Sequence, residues 1–398
     1  MSGPVRFAGH DIICFANDWT ADPTSKHHLM RRFAEHNRVL WVETAGMRRP
    51  NLTSSQDLGR IARKVRSFTG RAIQRLPGLW SYVPPALPFP GSAWATRANA
   101  WFYQVMLPRE LRRLGMRPDP ILWVYCPHVA PFIRGLARER MVYHCVDRWS
   151  AFADFDPAWM EACEREICLN ADAVFASAQD LTEHCRQFAP DPQYVPHGVE
   201  HGHFAAALDP GPLPADLSGI PGPRVGFFGL IHEWVDTDLI GALADRLPYA
   251  FVVIGATNQD LSALTARPNV HVLGRRPYAE LPAYCRGFDA AIVPFRESTL
   301  TQSVNPIKLR EYAAAGLPVV ATGLPEIRRC GDIAVCPEGL EGWVDALRAA
   351  VARGQDPAER RAQSDRVRDQ DWGEVAERMG LAVAGTTPSR SPRRSAVR

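Results

Sequence analysis

Short apolar runs alternate with segments of helical periodicity through most of the chain. In the first half the apolar runs are residues 11–16, 39–43, 121–125, 141–146, 173–177 and 193–196. In the second half they are residues 224–229, 250–256, 269–274, 290–295, 318–322 and 333–336. Helical spacing of apolar residues occurs in 25–36, 237–247, 279–288, 306–315 and 340–353. This alternation is typical of parallel sheets covered by helices and predicts an α/β protein.

The alternation is interrupted in three places. Residues 208–223 are dense in Pro and Gly and are interpreted as an interdomain linker. Residues 46–116 form an insertion rich in Arg, Pro and aromatic side chains. Residues 385–398 are small, polar and basic, which predicts a disordered tail.

These interruptions divide the chain into two Rossmann-like domains. We predict an N-terminal domain at 1–205 and a C-terminal domain at 222–355, facing each other across a cleft. A C-terminal helix, 357–383, is expected to cross back to the first domain. In open parallel sheets ligands lie at the carboxyl ends of the strands, so the functional site is expected there.

Composition restricts the class of protein further. A chain of 398 residues is too long for one ordinary core, and a net charge of +3 is too small to indicate nucleic-acid binding. Lysine is rare, because only Lys26, Lys64 and Lys308 occur among 46 basic residues. The nine cysteines form no CxxC pair and several lie in apolar runs, which predicts buried free thiols rather than disulfides or a zinc site.

Neither a signal peptide nor a membrane-spanning run is indicated. Residues 1–20 lack a basic start followed by a long apolar stretch, and no uncharged apolar run of about 18 residues occurs. We therefore expect a cytoplasmic protein, either free or peripheral on the inner face of the cell membrane.

The stretch QSVNPIKLREYAAAGLPVVAT, residues 302–322, carries the most specific pattern. Asn305 followed by proline predicts a helix N-terminus with Asn305 as N-cap, and Gly316 predicts the end of that helix. The N–H groups at such an N-terminus suit a diphosphate. Lys308 could neutralise the leaving phosphate, and Glu311 could accept hydrogen bonds from ribose hydroxyls. The alternative is that both side chains only form a solvated helix face.

This stretch resembles the donor-binding signature of retaining GT-B glycosyltransferases, the group often called family 4. Its members carry Glu-x7-Glu followed by A-x-G-x-P-V-V, and Glu311 matches the second glutamate, which in that family holds the ribose. Ser303 occupies the position of the first glutamate, so backbone amides near Val304 could take over its contacts. The form NPxKxxEYxAAGxPVV is similar to bacterial surface-polysaccharide transferases such as the teichuronic-acid enzymes.

Other segments fit the same resemblance. Gly229 follows the first strand of the second half, where a close approach of the backbone to phosphate is expected. The segment HVLGRRPY is similar to the one that cradles the base, and it makes Arg275 available to the phosphates. Thr301 lies in the loop before Asn305 and could hydrogen-bond to the donor.

The N-terminal half supplies candidates for the acceptor side and for catalysis. Asn17 and Asp18 follow the first strand, and His28 lies at the start of the next helix. Asp147, in a segment that resembles the family's YxxxD element, and His128 follow other strands and could bind the acceptor hydroxyl or stabilise the transition state.

Two further features are open to alternative interpretations. His144 is either a cleft-facing histidine or one satisfied in the core. Two Asp-x-Asp triplets, at 154–156 and 236–238, are typical of metal sites in the other sugar-transferase fold, but Asp236 is better explained as a helix N-cap. We therefore predict no metal site and no cofactor.

The insertion is the candidate for contact with a membrane. Its first part, residues 48–75, carries eight basic residues against the single Asp57, and the Leu- and Trp-rich run LPGLWSYVPPALPFPGSAW follows. Basic residues beside interfacial aromatics suggest that residues 48–90 contact an anionic membrane surface or a lipid-phosphate acceptor. The alternative is an ordinary solvated helix and a Pro-rich loop packed on the domain.

The resemblance implies a reaction. A sugar would move, with retention of configuration and without a metal, from a UDP- or GDP-sugar to a hydroxyl of a lipid-linked glycan, and nucleic acid is not an expected partner. The enzymatic alternative is a GT-B sugar-nucleotide epimerase or phosphorylase. The alternative from another class is a non-catalytic protein that binds a nucleotide sugar or a glycan, which Ser303 in place of glutamate keeps open.

Overall fold

The first of two compact units is built on one sheet. The computed structural model of the protein describes residues 7–44, 70–87, 92–152 and 155–386. The strands of this sheet are β1 (Asp11–Ala16), β2 (Arg38–Glu43), β3 (Ile73–Leu76), β4 (Leu79–Tyr82), β5 (Ile121–Val124), β6 (Met141–Cys145), β7 (Ala173–Ala176) and β8 (Gln193–Tyr194). Their order is β3-β4-β2-β1-β5-β6-β7-β8. All neighbours are parallel except β3 and β4, so the strand order reverses at β1 and β5.

The helices of this unit cover the faces of the sheet. Its apolar core includes Phe15, Leu40, Val124 and Tyr143, all buried. The helices are Ser25–Ala34, Ala93–Arg113, Ala130–Ile133, Pro157–Asn170 and Gln179–Arg186, with 3-10 turns at Pro127–Val129 and Trp149–Ala151.

The second unit, Pro196–Glu374, contains a sheet with the classical doubly wound order. Its strands are β9 (Arg224–Phe228), β10 (Ala250–Ile254), β11 (Val270–Gly274), β12 (Ala290–Val293), β13 (Val319–Ala321) and β14 (Ala334–Val335). They are parallel throughout, in the order β11-β10-β9-β12-β13-β14. The order reverses between β9 and β12, which is where such sheets bind ligands.

Helices again lie against the second sheet, around a core that contains Phe227, Val252 and Ile292. They are His201–Ala205, Ala215–Ser218, Thr237–Arg246, Ser262–Thr265, Leu281–Arg286, Thr299–Gln302, Ile307–Ala314, Pro325–Arg328, Gly339–Gly354 and Pro357–Asp365, with 3-10 turns at Ala206–Leu208, Tyr278–Glu280, Gly331–Ile333 and Arg368–Gln370. A last helix, Trp372–Gly385, follows, and residues from Val375 onward group with the first unit.

All twelve predicted strands are confirmed, with ends that differ by at most a few residues. The nine cysteines are free thiols, seven of them buried and Cys330 and Cys336 half-buried, which agrees with the prediction. Among the described residues no helix is both long and apolar enough to span a membrane.

The interdomain linker predicted at 208–223 is wrong. The second unit begins at Pro196, upstream of this stretch. Leu217 is fully buried, and it packs so closely on Gly287 that a Cβ there would lie 2.6 Å from Leu217 Cδ2. Pro and Gly are equally suited to the tight turns of a packed loop, which is their role here.

The predicted insertion at 46–116 is partly integral to the sheet. β4 pairs in parallel with β2, with Leu79 and Tyr82 buried, and helix Ala93–Arg113 buries Tyr103. A strand of only four residues flanked by turns gives too weak a pattern for prediction. Residues 45–69 and 88–91 lie outside the described part of the chain, and with them most of the 48–90 segment that we predicted to contact a membrane.

The single helix predicted at 357–383 is divided into two. Helix Pro357–Asp365 ends, a 3-10 turn follows, and helix Trp372–Gly385 starts after Asp371. The Asp371 carboxylate accepts hydrogen bonds from the backbone N–H groups of His201 and Gly373, at 3.1 and 2.8 Å, and thereby fixes the break. The predicted tail from residue 387 onward lies outside the described residues.

Candidate active site

The clearest anion-binding feature lies at the carboxyl end of β9, where the strand order of the second sheet reverses. Gly229 follows β9 with a φ of 146°, and its N–H donates to the Ile254 carbonyl at 2.8 Å. The Lys308 side chain crosses this glycine, because a Cβ placed on Gly229 would lie 1.9 Å from Lys308 Cε and 3.0 Å from Nζ. The positive φ favours glycine at this position, a methyl group there would displace the lysine, and the backbone is open to close approach.

Lys308 carries the charge of this feature. Its side chain is half-buried, and no carboxylate in the described part of the chain forms an ion pair with its ammonium group. A partly desolvated cation without an internal counter-charge attracts an anion more strongly than an exposed one does. Together with the N-terminus of helix Ile307–Ala314, Lys308 and Gly229 form a site suited to a diphosphate.

Glu311 lies on the same helix, nearly one turn after Lys308. It is 5% exposed, so it does not belong to a solvated helix face. Its carboxylate lies near Cys285, where burial chiefly and the Glu311 charge secondarily raise the pKa of that thiol. The next residue, Tyr312, ties the helix to β9 by accepting a hydrogen bond from the Phe228 N–H at 2.7 Å.

The prediction that Asn305 caps this helix is wrong. The helix has Pro306 as its N-cap and no side-chain cap. The Asn305 side chain instead accepts a hydrogen bond from Arg310 at 2.7 Å and donates one to Glu326 at 3.1 Å. All three side chains are at most 3% exposed, and buried ionic groups need such partners more than a helix terminus does. The predicted helix end at Gly316, with φ 75°, is confirmed.

Arg310 and Glu326 are buried partners of Asn305 that sequence reasoning missed. Arg310 also donates to Gln370 at 2.8 Å, and the Asn305 carbonyl lies 2.9 Å from His197 Nδ1. The only signal in the sequence is that two charged residues, Arg310 and Glu326, flank the apolar strand β13.

The polar groups of the loop before Asn305 form hydrogen bonds within the loop itself. The Thr301 hydroxyl donates to the Arg296 carbonyl at 2.7 Å and takes part in a capping box with Ser298. The N–H groups of Ser303 and Val304 donate to the carbonyls of Leu300 and Thr301, at 3.4 and 3.1 Å. The contacts expected from Thr301 and from these amides to a donor therefore compete with bonds that the loop already makes.

Arg275, a predicted donor contact, is exposed directly after β11. The neighbouring Arg276 is held by Asp216, which also accepts a hydrogen bond from Tyr284 at 2.9 Å.

The Asp236–Asp238 triplet has a structural role. Asp236 caps helix Thr237–Arg246 by accepting from the Leu239 N–H at 3.1 Å, as the sequence predicts. Both aspartates also pair with Arg296, at 3.2 and 2.7 Å. Asp154 of the other triplet lies outside the described residues.

A second polar cluster lies at the carboxyl ends of β1 and β6, in the first unit. The Lys26 ammonium is 3.4 Å from Asn17 Oδ1 and 4.0 Å from Asp147 Oδ2. It also lies over the rings of Trp149 and Tyr125, 5.1 and 5.9 Å from their centroids. The structure thus brings together the predicted Asn17 and Asp147, and Lys26 joins them in a setting of charged, amide and aromatic groups.

Asp147 differs electrostatically from an ordinary surface carboxylate. Burial raises the pKa of its carboxyl group, and the nearby Lys26 charge only partly offsets this effect. The side chain is still 33% exposed, so a ligand can reach it. A carboxyl group whose pKa is raised toward neutral pH can hydrogen-bond to a hydroxyl with a strength that depends on pH.

The other predicted residues of the first unit have different surroundings. The Asp18 carboxylate accepts hydrogen bonds from the Thr20 N–H and hydroxyl, each at 2.7 Å, and forms a turn. His28 is 1% exposed, within helix Ser25–Ala34. His128 is 4% exposed, in the turn after β5, with its ring 6.5 Å from that of Trp149.

His144 is a core histidine. It lies inside β6 and is 2% exposed. Its ring is surrounded by those of Tyr125, Trp123 and Phe175, at centroid distances of 4.9, 6.2 and 6.3 Å. The cleft-facing alternative is therefore excluded.

A buried carboxylate that sequence reasoning missed holds the loop after β6. Glu164 accepts hydrogen bonds from Tyr143 and Cys145 and lies 2.9 Å from His184 Nε2. Arg148 donates to His184 Nδ1 at 2.9 Å, which leaves the proton of the ring on Nε2. The network fixes Arg148, and with it the neighbouring Asp147.

The same place contains a group of potential metal ligands. Donor atoms of Cys145, Glu164 and Cys185 lie within 4.8 Å of one another. Hydrogen bonding with Cys185 and burial raise the pKa of Cys145, which keeps the thiol protonated. Since Glu164 also accepts from Tyr143, the group is satisfied as a hydrogen-bonded network.

Two doubly wound units, each with its polar cluster at the switch point of a parallel sheet, define the GT-B class of fold. Solved structures agree over nearly the whole chain. The sucrose-phosphate synthase of Thermosynechococcus elongatus aligns with a TM-score of 0.68 at 15% identity, over 94% of this chain and 98% of that one. The HepE protein of Anabaena, solved in complex with UDP and glucose, aligns with a TM-score of 0.64 at 13% identity, over 95% and 100%.

The sequence comparisons agree with the resemblance given above. Residues 222–353 match the family model described as Glycosyl transferases group 1. A protein of Bacillus subtilis (strain 168), named as the teichuronic acid biosynthesis glycosyltransferase TuaH, is 29% identical over 255 residues, 59% of this chain. The match spans 64% of that relative's length. The chain thus has a GT-B fold, its residues 222–353 are similar to the group 1 glycosyltransferases, and it resembles surface-polysaccharide enzymes.

Proposed function

We propose that this protein is a glycosyltransferase that moves a sugar from a nucleoside-diphosphate sugar to a hydroxyl of a glycan acceptor. The observation that carries the proposal is the contact of Lys308 with Gly229, at the switch point of the second sheet. The half-buried lysine, the open backbone and the adjacent helix N-terminus form an anion site in the domain that matches the group 1 family.

The donor is held by the second unit. Lys308 and the first N–H groups of helix Ile307–Ala314 bind the diphosphate, and Glu311 accepts hydrogen bonds from the ribose hydroxyls. Arg275 is the further cationic contact. Ser303 and Val304 lie next to Asn305 and would contact the sugar, although the N–H groups of both already bond within the loop. The HepE complex with UDP and glucose favours UDP over GDP as the nucleotide of the donor.

The acceptor is bound by the first unit. Asn17 and Asp147 offer an amide and a carboxylate at 3.4 and 4.0 Å from the Lys26 ammonium group, which lies over the ring of Trp149. Asp147 accepts a hydrogen bond from a hydroxyl of the acceptor sugar other than the reacting one. Aromatic and paired polar groups in this combination favour a sugar over a small aliphatic alcohol.

The proposed reaction retains the anomeric configuration. The bond between the anomeric carbon and the diphosphate oxygen breaks, and the acceptor oxygen bonds to that carbon from the same face. The acceptor proton passes to the departing diphosphate, whose charge Lys308 and the helix N-terminus stabilise. No metal is required, since these groups supply the positive charge.

The relative named for teichuronic acid biosynthesis supports a role in the cell envelope. We therefore propose a lipid-linked glycan as the acceptor and a cytoplasmic location at the inner membrane face, with residues 48–90 as one contact to the membrane.

Release of nucleoside diphosphate from the donor tests this activity. The purified protein should release it faster when a lipid-linked or short-chain glycan is added, taken from a Gram-positive or Gram-negative cell envelope. Chelation of divalent metals should leave this rate unchanged.

One variant distinguishes a transferase from a protein that binds the donor sugar but does not transfer it. Lys308→Ala should lower the transfer rate by roughly 10²–10³-fold, the usual effect of removing one transition-state donor. If wild-type protein binds the donor but no acceptor accelerates release of nucleotide, the protein is a binding protein. If it interconverts the donor sugar without an acceptor, it is an epimerase.

A further inference from the structure

Helix Ala93–Arg113 has an outward face that differs from those of ordinary surface helices. Trp94 and Trp101 are each 59% exposed, although the helix buries Tyr103 and Leu107 on its opposite side. Trp94 and Trp101 are seven residues apart, so they lie two turns apart on the same side. Two large aromatic side chains exposed on one helix face are unusual in a protein surface that contacts only water.

The charges on this face all have one sign. Arg97, Arg109 and Arg112 are exposed on the same side as the two tryptophans. The helix contains a single acidic residue, Glu110, which is buried on the other side and pairs with Arg113 at 2.8 Å. Within the described residues no carboxylate forms an ion pair with Arg97, Arg109 or Arg112.

We propose that the outward face of helix Ala93–Arg113 docks on an anionic lipid surface. Tryptophan has an apolar body and a polar N–H, and it is the side chain best suited to the boundary between lipid head groups and acyl chains. Arginines beside it add attraction to anionic head groups, worth roughly fivefold in affinity for each residue near the surface. The surface is formed by Trp94, Arg97, Trp101, Arg109 and Arg112, and it is distinct from the 48–90 segment.

Charge argues against a second copy of the chain as the partner. A symmetric dimer brings the same face of both subunits together. Here it would oppose one arginine row with the other, and like charges across an interface are unfavourable. An anionic bilayer neutralises all three arginines at once.

The test uses full-length protein and two kinds of vesicle, phosphatidylcholine alone and an equimolar mixture with phosphatidylglycerol. Co-sedimentation should show binding to the anionic vesicles that weakens as salt increases. The triple variant Arg97→Gln, Arg109→Gln, Arg112→Gln should bind roughly 100-fold more weakly. The double variant Trp94→Ser, Trp101→Ser should lower binding to the anionic vesicles at high salt as well, because it removes the apolar anchor.

A matched control is available on another helix of the same unit. Leu169 is 63% exposed and Arg165 is exposed, so Leu169→Ser with Arg165→Gln removes similar chemistry elsewhere. This control should bind like wild type, and all variants should keep the wild-type circular dichroism spectrum. Absence of wild-type binding to the anionic vesicles would overturn the proposal, as would equal binding by the triple variant. Wild-type dimers in solution that the tryptophan variant dissociates would assign the face to a second copy instead.

The outcome is independent of the proposed activity. Transfer to a soluble acceptor should be the same in wild type and in the surface variants. Lack of transfer in a wild-type protein that still binds vesicles would contradict the proposed function and leave the docking surface standing.

Discussion

The Lys308 side chain fills the space that any side chain on Gly229 would need, since a Cβ on Gly229 would lie 1.9 Å from Lys308 Cε. The two residues belong to elements far apart in sequence, a helix and the loop after β9, and the fold brings them together at a switch point. The contact makes a cation and an open backbone available at one place. The donor site proposed for this protein depends on it.

Gly229→Ala should therefore weaken donor binding without unfolding the protein. The new methyl group would displace the lysine, and nucleotide affinity should fall by about tenfold or more, which corresponds to about 1.4 kcal/mol. Gly331→Ala is the matched control, because Gly331 has φ 55° and nothing within 4 Å of its missing Cβ. Gly331→Ala also places a methyl group on a residue of positive φ, but that group meets no neighbouring atom. Isothermal titration calorimetry of nucleotide with each variant measures the two affinities. Equal affinities would contradict the role of the contact between Lys308 and Gly229.

The fold was accessible from the sequence because buried parallel strands are continuous apolar runs bounded by turn residues. β4 was missed because Leu79–Tyr82 is only four residues long and includes the polar Ser81. Its parallel pairing with β2 is a tertiary relationship that no local pattern contains.

The site was predictable only in part. Lys308 was identified by the rarity of lysine and Gly229 by its position after a strand, and both depend on local signals. The bonds of Asn305 to Arg310 and Glu326 were not foreseen, because a side chain's choice of partner is decided by packing. The cluster of Asn17, Lys26 and Asp147 was not predictable either, because Asp147 is far from the other two residues in the sequence and only the fold brings it to Lys26.

The Asn305 network should contribute to stability. Asn305→Ala leaves the buried Arg310 and Glu326 without a bridging amide, and a lost hydrogen bond to a buried charged group costs about 1.5–3 kcal/mol. Chemical denaturation should show this decrease in the free energy of unfolding of the second unit. Gln302→Ala, at an exposed site three residues away, should change it by less than about 0.5 kcal/mol. A loss of similar size in both variants would mean that the network adds nothing specific.

Asp147 should give acceptor binding its own pH dependence. Burial raises the pKa of this carboxyl group above its ordinary value, so it becomes protonated during acidification earlier than surface carboxylates do. Once protonated it loses the negative charge that strengthens the hydrogen bond it accepts, so the KM for the acceptor should rise as the pH falls, with the donor KM unchanged. Asp147→Asn should raise the acceptor KM at neutral pH and remove this dependence.

The control for that experiment is Asp119→Asn, an exposed carboxylate that pairs with Arg117 at 3.3 Å in the same unit. Its pH profile should coincide with that of the wild type. An unchanged profile in Asp147→Asn would show that another group titrates.

His27 should make the protein less stable in acid. Burial chiefly, and then the charges of Arg31 and other neighbours, lower the pKa of His27 from 6.5 to about 4. Between these two values the unfolded chain binds more protons than the folded one. The free energy of unfolding should therefore rise with pH across this window, by roughly 3 kcal/mol in total. This contribution of His27 should be lost as the pH falls toward 4.

His27→Gln isolates this effect. His27 Nδ1 accepts the Thr24 N–H at 3.1 Å in a capping box, and glutamine is a standard residue at that position. The variant should keep the helix cap and show a flatter dependence of stability on pH between 4 and 6.5. A dependence as steep as that of the wild type would assign the titration to other groups.

The most direct test of the account is nucleotide binding at Glu311, measured by thermal shift with UDP, GDP, ADP and dTDP. One nucleotide should raise the melting temperature of the wild type, because a ligand that binds only the folded state stabilises it. Glu311→Ala and Lys308→Ala should lose this rise, whereas Glu338→Ala, at an exposed position of the same unit, should keep it. Stabilisation that persists in Glu311→Ala and Lys308→Ala, or no response of well-folded wild-type protein to any nucleotide, would contradict the donor site.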